Sequence, residues 1–174
     1  MFAMRLKAMV IVSMLFGTSC KSQDLQTVPA LDLQRYAGTW YEIARLPNSF
    51  EKGLECITAT YTLRPDGRVT VENKGVRADG SVSSIKGVAW VSSKDEPAKL
   101  KVRFFWPFAG KYWVIYIDND YRYALVGGPK RKYFWILSRT PQIDSTTYVQ
   151  LVDIASQKGF DTQRLITVNQ KCPE

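Results

Sequence analysis

The chain has 174 residues, 45% of them hydrophobic and 23% charged, which suits one globular domain with room for a real core and excludes a disordered tract. It contains no histidine, so the usual general base and the commonest metal ligand are both missing, and neither a metal nor a cofactor is expected. The formal charge of +8 admits attraction to anionic lipid or nucleic acid, but the basic residues are scattered among strand-like runs, so no nucleic-acid partner is expected.

The leader, residues 1–19, carries Arg5 and Lys7, an apolar run over 6–16 and the small residues Gly17, Thr18 and Ser19 before Cys20, the layout of a secretory signal. The apolar run is too short to span a bilayer as a helix. With the leader set aside, 22 basic and 16 acidic residues remain, a net charge of +6. The small residues before Cys20 resemble the lipobox of bacterial lipoproteins, although Gly17 stands where leucine is commonest. That resemblance implies lipidation of Cys20 and a membrane partner through the lipid anchor, with a secreted chain and a free thiol as the alternative. Lys21 in place of an aspartate does not suggest inner-membrane retention, so the bacterial outer membrane is the expected location. Each buried acyl methylene contributes about 0.8 kcal/mol, and several chains together make a stable anchor. Cys56 and Cys172 remain, and in an oxidising compartment they are expected to pair, worth at most roughly 4 kcal/mol in the loop-entropy account; two unpaired thiols are the other reading.

Residues 20–30 are polar, include Pro29 and show no periodicity, so they read as a tether ahead of a domain over 31–174. Residues 31–36 suit one helical turn capped by Asp32. Strand-like runs follow at 39–46, 55–63, 68–77, 81–91, 98–105, 111–119, 121–127 and 133–139. Turn chemistry such as Arg64-Pro65-Asp66-Gly67, Ala78-Asp79-Gly80, Lys94-Asp95-Glu96-Pro97 and Gly127-Gly128-Pro129 separates them. Eight successive strands with no helix between them point to an all-β chain, an up-and-down barrel or a sandwich. A helix is expected over 145–158, with Asp144 or Ser145 as cap and Gly159 as stop. Its Tyr148, Leu151, Val152 and Ala155 form one apolar face, which packs most simply on the outside of the sheet; a partner-binding face is the other reading. A last strand over 164–168 is placed to cover a barrel edge.

Gly38-Thr39-Trp40-Tyr41-Glu42-Ile43-Ala44-Arg45 resembles the first signature of the lipocalins, a Gly-x-Trp opening the first strand. The second signature is similar to Asp118-Asn119-Asp120-Tyr121-Arg122-Tyr123-Ala124-Leu125-Val126, and the third to Arg139 closing Trp135-Ile136-Leu137-Ser138-Arg139. Three signatures in order, followed by a helix, cover essentially the whole mature chain. The resemblance implies an eight-stranded antiparallel up-and-down barrel with a C-terminal α-helix packed outside. It also implies binding of a fatty acid or lysophospholipid, without catalysis. In that geometry Gly38, Trp40, Asp118, Tyr121 and Arg139 gather at one closed end as structural residues, with the Arg139 guanidinium stacked over the Trp40 indole. Loops over 47–54, 77–80, 106–110 and 128–132 gather at the other end as a mouth.

An eight-stranded barrel is wide enough to hold one small ligand. Alternation assigns Tyr61, Val71, Asn73, Val102, Phe104, Tyr112, Val114 and Trp135 to its lining, with ordinary core packing as the competing reading for each and an ambiguous parity in the sixth and eighth strands. Asn73 is the sharpest of these, because a buried amide must find a partner, and a carboxyl, carbonyl or hydroxyl on the ligand suits it. At the mouth, Lys111 and Lys130-Arg131-Lys132 suit an anionic head group or are simply a solvated turn. The aromatic cup also suits a haem or bilin, for which no histidine is available as axial ligand, and a barrel enzyme would need an activated residue that the chain does not supply. A homodimer is left open.

Overall fold

From Val69 to Val91 the side chains point alternately to the interior and to water, with Val69, Val71 and Ala89 buried and Lys74 and Lys86 exposed. A period of two with one apolar face requires a sheet that covers a core on one side only. The computed structural model describes residues 24–172. Cys20 and the leader lie outside them. The short helix α1 (Leu33–Tyr36) is capped by Asp32, whose carboxylate accepts from the backbone N–H groups of Gln34 and Arg35. Eight strands follow: β1 (Gly38–Arg45), β2 (Glu55–Leu63), β3 (Val69–Val76), β4 (Val82–Val91), β5 (Lys99–Phe105), β6 (Phe108–Ile117), β7 (Tyr123–Gly127) and β8 (Phe134–Ser138). Each pairs antiparallel with the next, and β1 pairs with both β2 and β8, so the sheet closes into a barrel.

The connections differ from the sequence reading in three places. The loop expected over 106–110 shrinks to the turn Trp106-Pro107, whose peptide bond is cis, because the strong β-formers around it extend the ladder until Phe105 faces Phe108. Strand β7 begins at Tyr123 and not at Tyr121. The Asp118 carboxylate accepts from the backbone N–H groups of Arg122 and Tyr123 at 2.7 and 2.6 Å, and this folds the intervening residues into a turn with Tyr121 at φ 57°. The strand expected over 164–168 is a 3₁₀ turn, Thr162–Arg164, followed by only two paired residues, β9 (Ile166–Thr167). β2 pairs with β1 only as far as Tyr41, so β9 has just the remaining length beside Ala44 and Arg45 to occupy.

The C-terminal segment then fills the gap where β1 and β2 splay apart. Gln170 donates its side-chain amide to the carbonyls of Glu42 and Ile57, both at 2.8 Å, and the Cys56 N–H donates to the Asn169 carbonyl. A disulfide joins Cys56 to Cys172, with Cα atoms 5.8 Å apart.

Two apolar layers result. Inside the barrel, Leu31, Tyr36, Trp40, Val114, Ala124 and Val126 pack together. Outside it, helix α2 (Ser145–Gln157), capped by Asp144, lays Leu151 and Ala155 on a wall of Ile43, Ile115, Leu125, Phe134 and Ile136. The apolar face read from the sequence therefore packs on the barrel. Gly127 makes room for Phe160 there, since a Cβ at that position would lie 2.6 Å from the ring. The stretch 24–30, read as tether from its polarity, lies against the barrel: Leu25 is buried in the outer layer and the Val28 N–H donates to the Val114 carbonyl.

Candidate functional site: a cup with a plugged floor

The closed end is built around Trp40, which is fully buried. The Arg139 guanidinium lies 3.9 Å above its ring and donates to the carbonyls of Thr39, Arg35, Tyr36, Ala37 and Tyr121. The indole N–H donates to the Tyr36 carbonyl at 2.9 Å. Gly38 sits at φ 94°, a conformation costly for any residue with a Cβ, at the point where the chain passes beneath Arg139. Tyr121 contributes from the side, its hydroxyl accepting from the Asp32 N–H. The donors on the Arg139 and Trp40 side chains point at backbone carbonyls, which is the chemistry of a structural clamp.

Above the plug lies a cavity of about 1010 Å³, at the top of the usual range for small-molecule sites of about 300–1,000 Å³. Tyr61, Val71, Asn73, Val102, Phe104, Tyr112 and Trp135 all line it. Val114 does not. It faces inward but is fully buried beneath the cavity, because Leu31, Tyr36 and Trp40 already fill the barrel at that depth. At the floor, Tyr112 joins the hydroxyls of Tyr36 and Tyr61 at 2.6 and 2.8 Å. Burial pushes all three phenols up, so they stay neutral, and three hydroxyl protons share two hydrogen bonds. One O–H is left over for an acceptor entering the cup. Higher on the wall, the Asn73 Oδ1 is buried with no hydrogen-bond partner. Gly87 opposes Val71 across the β3–β4 ladder, and a Cβ there would meet the Phe104 ring at 2.7 Å, so the glycine lets that ring lie across the wall.

The sequence reading missed a buried charge cluster in the same wall. Glu42, Arg45 and Glu51 are all buried, with Arg45 Nη1 donating to Glu42 Oε1 at 3.0 Å and Arg45 Nη2 to the Glu51 carbonyl at 3.0 Å. Regular alternation would send residues 42 and 45 to opposite faces. A bulge between Glu42 and Ala44 in the β1–β8 ladder turns both inward, Glu42 opposite Leu137 and Arg45 opposite Trp135. The Trp135 indole N–H donates to Glu51 Oε2 at 3.1 Å, tying an aromatic of the lining to this cluster. Burial, then the neighbouring Glu51, pushes the Glu42 carboxyl well above the usual carboxylate range against the pull of Arg45. The one legible signal was Glu42 itself, which shares parity with Trp40.

The mouth also differs in part. Lys111, Lys130 and Lys132 border the cavity, but the Arg131 Nε turns away and donates to the Lys158 carbonyl at 2.7 Å, where the last carbonyls of α2 favour a cation. Among the described residues, no group of three Cys, Asp or Glu side chains converges into a metal site.

Comparison with known proteins follows the same outline. A family profile, the lipocalin-like domain, matches residues 31–170. The chain belongs to the lipocalin family. This lipocalin is 49% identical to the outer membrane lipoprotein Blc of Citrobacter freundii over 149 residues, 85% of this chain and 84% of that one. It is 40% identical to apolipoprotein D of Bos taurus over 152 residues, 82% and 79% of the two chains. Its fold is similar to insecticyanin from the tobacco hornworm Manduca sexta, with TM-score 0.69 at 23% identity over 84% of this chain and 85% of that one. In this lipocalin the three signatures meet at the plug, and the cup opens at the other end.

Proposed function

We propose that this lipocalin holds one amphipathic lipid, a fatty acid or a lysophospholipid, in the cup, from a station on the bacterial outer membrane to which an acylated Cys20 tethers it. The observation that carries the reading is the buried, partnerless Asn73 Oδ1 in a mostly apolar wall. A buried acceptor of this kind costs about 1–3 kcal/mol unless a donor meets it. An amide oxygen accepts, so the suitable ligand group is a hydroxyl or an undissociated acid rather than a carbonyl. A lysophospholipid offers such a hydroxyl together with a phosphate for Lys111, Lys130 and Lys132, which favours it over a fatty acid. Its acyl chain gains about 0.8 kcal/mol for each methylene buried against Val71, Val102 and Phe104. No chemistry on the ligand is part of this reading: the cup offers neutral phenols, an amide and apolar rings, the Glu42 and Glu51 carboxyls that border it are engaged by Arg45 and the Trp135 indole, and the chain has no histidine to act as base.

Mass spectrometry of an organic extract of the purified protein tests it. Lysophospholipid or fatty acid at up to one molecule per chain is the expected result, and Asn73→Leu should bind an added lysophospholipid about tenfold more weakly than wild type. A visible absorption band in the purified protein, with no lipid in the extract, would replace the lipid by a tetrapyrrole.

A further inference from the structure

Among the described residues, most of the exposed large apolar side chains stand at one end of the barrel. Strand β1 runs from the plug to the mouth and the strands alternate thereafter, so the turns after β1, β3, β5 and β7 all meet at the mouth. Trp106 is 81% exposed, Phe108 79%, Phe105 69%, Val82 66% and Phe50 58%, and every one of them lies in or beside one of those turns. An aromatic crown of this kind costs solubility and marks an interaction surface.

The charge around it identifies the partner. Lys52, Arg77, Lys111, Lys130 and Lys132 are exposed at the mouth, against exposed Glu55 and Asp79, and none of the five cations lies in an ion pair among the described residues. At the plugged end most cations are matched, Arg64 and Arg68 by Asp66, Lys99 by Glu96 and Arg122 by Asp118 and Asp120, while Lys94 and Arg35 lie outside these ion pairs. Two mouths facing each other would repel, whereas an anionic bilayer attracts such a ring of cations and its interface accepts Trp and Phe side chains. We propose that the open rim docks mouth-down on an anionic lipid surface, the Phe105-Trp106-Pro107-Phe108 tip entering the head-group region so that the cup opens into the bilayer. A lipid then passes between membrane and cup without crossing water. The docking is a second membrane contact, separate from any acyl chain on Cys20 and independent of which molecule the cup holds.

Contact quenching by bromine tests the docking. The full-length protein is mixed with vesicles of phosphatidylcholine, or of phosphatidylcholine with phosphatidylglycerol, with and without brominated acyl chains. The difference between wild type and Trp106→Phe isolates the signal of Trp106 from the other tryptophans, Trp135 in the cup included. The substitution keeps an aromatic ring at a position with little packing, so folding is not at stake. On brominated phosphatidylglycerol vesicles the Trp106 component should lose most of its intensity, and Lys130→Glu with Lys132→Glu should reduce that loss about twofold or more. An acyl anchor alone holds the chain on a vesicle but leaves Trp106 in water. A Trp106 component equally bright on brominated and plain phosphatidylglycerol vesicles overturns the proposal. So does a shift of Trp106 emission that follows protein concentration without vesicles and accompanies a doubled mass in sedimentation, which assigns the rim to a second copy of the chain.

Discussion

Trp135 and Arg139 are four residues apart and do opposite work. The Trp135 ring lines the cavity and the Arg139 guanidinium clamps the plug. Removing a well-packed aromatic from a binding site commonly costs about 2 kcal/mol, roughly thirtyfold in affinity. Calorimetry on folded variants should therefore give Trp135→Ala a loss of that size for a lysophospholipid. Arg139→Ala should bind like wild type while losing about 2–3 kcal/mol of stability through its unmet carbonyls. Wild-type affinity for Trp135→Ala would move the ligand out of the cup. Glu42 carries a second prediction at this scale. Its carboxyl is raised in the folded protein, so the unfolded chain gives up its proton first, near pH 4.3, and stability falls as pH climbs from there to the raised folded value. Glu42→Gln removes that proton exchange and keeps an acceptor for Arg45. The thermal midpoint of wild type should then fall relative to Glu42→Gln as pH rises from about 4, and the gap should become constant once Glu42 is ionised in both states. A gap that does not change with pH would mean that Glu42 titrates normally.

At the scale of elements, the C-terminal segment is the piece with the largest leverage. β9, Gln170 and the Cys56–Cys172 disulfide together close the gap between β1 and β2, and the bond spans 116 residues of chain. Cys56→Ser with Cys172→Ser should lower stability by roughly 2–5 kcal/mol in urea titrations, mostly through the freed unfolded chain. Because Gln170 and β9 hold the same gap by hydrogen bonds, the barrel should still form, with near-wild-type far-ultraviolet circular dichroism. Faster amide exchange at residues 166–170 and at the open-end half of β2 is the expected local signature. Helix α2 holds neither cysteine and packs on the outer layer, so any loss of protection at Leu151 and Ala155 should not exceed the drop in global stability.

At the scale of the whole molecule, the barrel has a plugged end of mostly paired charges and an open end of aromatics and lysines that lie in no ion pair among the described residues. That polarity along the barrel axis would give the proposed lipid exchange a direction. An acylated Cys20 would stand only four residues ahead of Asp24, where the described chain lies beside the outer layer, so the tether would reach about 14 Å at most. Cys20→Ala should release the protein from the membrane fraction into a soluble one, and labelled palmitate should no longer be incorporated. Incorporation that persists in Cys20→Ala would place the acyl group elsewhere.

The barrel was legible because its determinants are local and periodic: turn residues between alternating runs, a glycine two residues before Trp40, and an arginine at the end of the eighth strand. Seven of the residues assigned to the lining by alternation border the cavity, Asn73 among them, because parity along an unbroken strand is a property of the backbone alone. What sequence did not reveal lies where parity breaks or where depth matters. A single bulge turns Arg45 inward beside Glu42, so the charge cluster with Glu51 exists only once β1 is paired with β8. Val114 has the right parity, yet Leu31, Tyr36 and Trp40 arrive from elsewhere in the chain to fill the space above and around it. The sequence reading put Phe105 at the end of a strand and Phe108 in a loop at the mouth, and only the closing of the β5–β6 hairpin sets both rings in water at the rim. Sequence alone thus determined the eight strands, their order and, where alternation is unbroken, which face turns inward. Tertiary structure decided how deep the cup is, which charges share its wall and where its apolar rim stands, because these depend on distances between segments far apart in the chain.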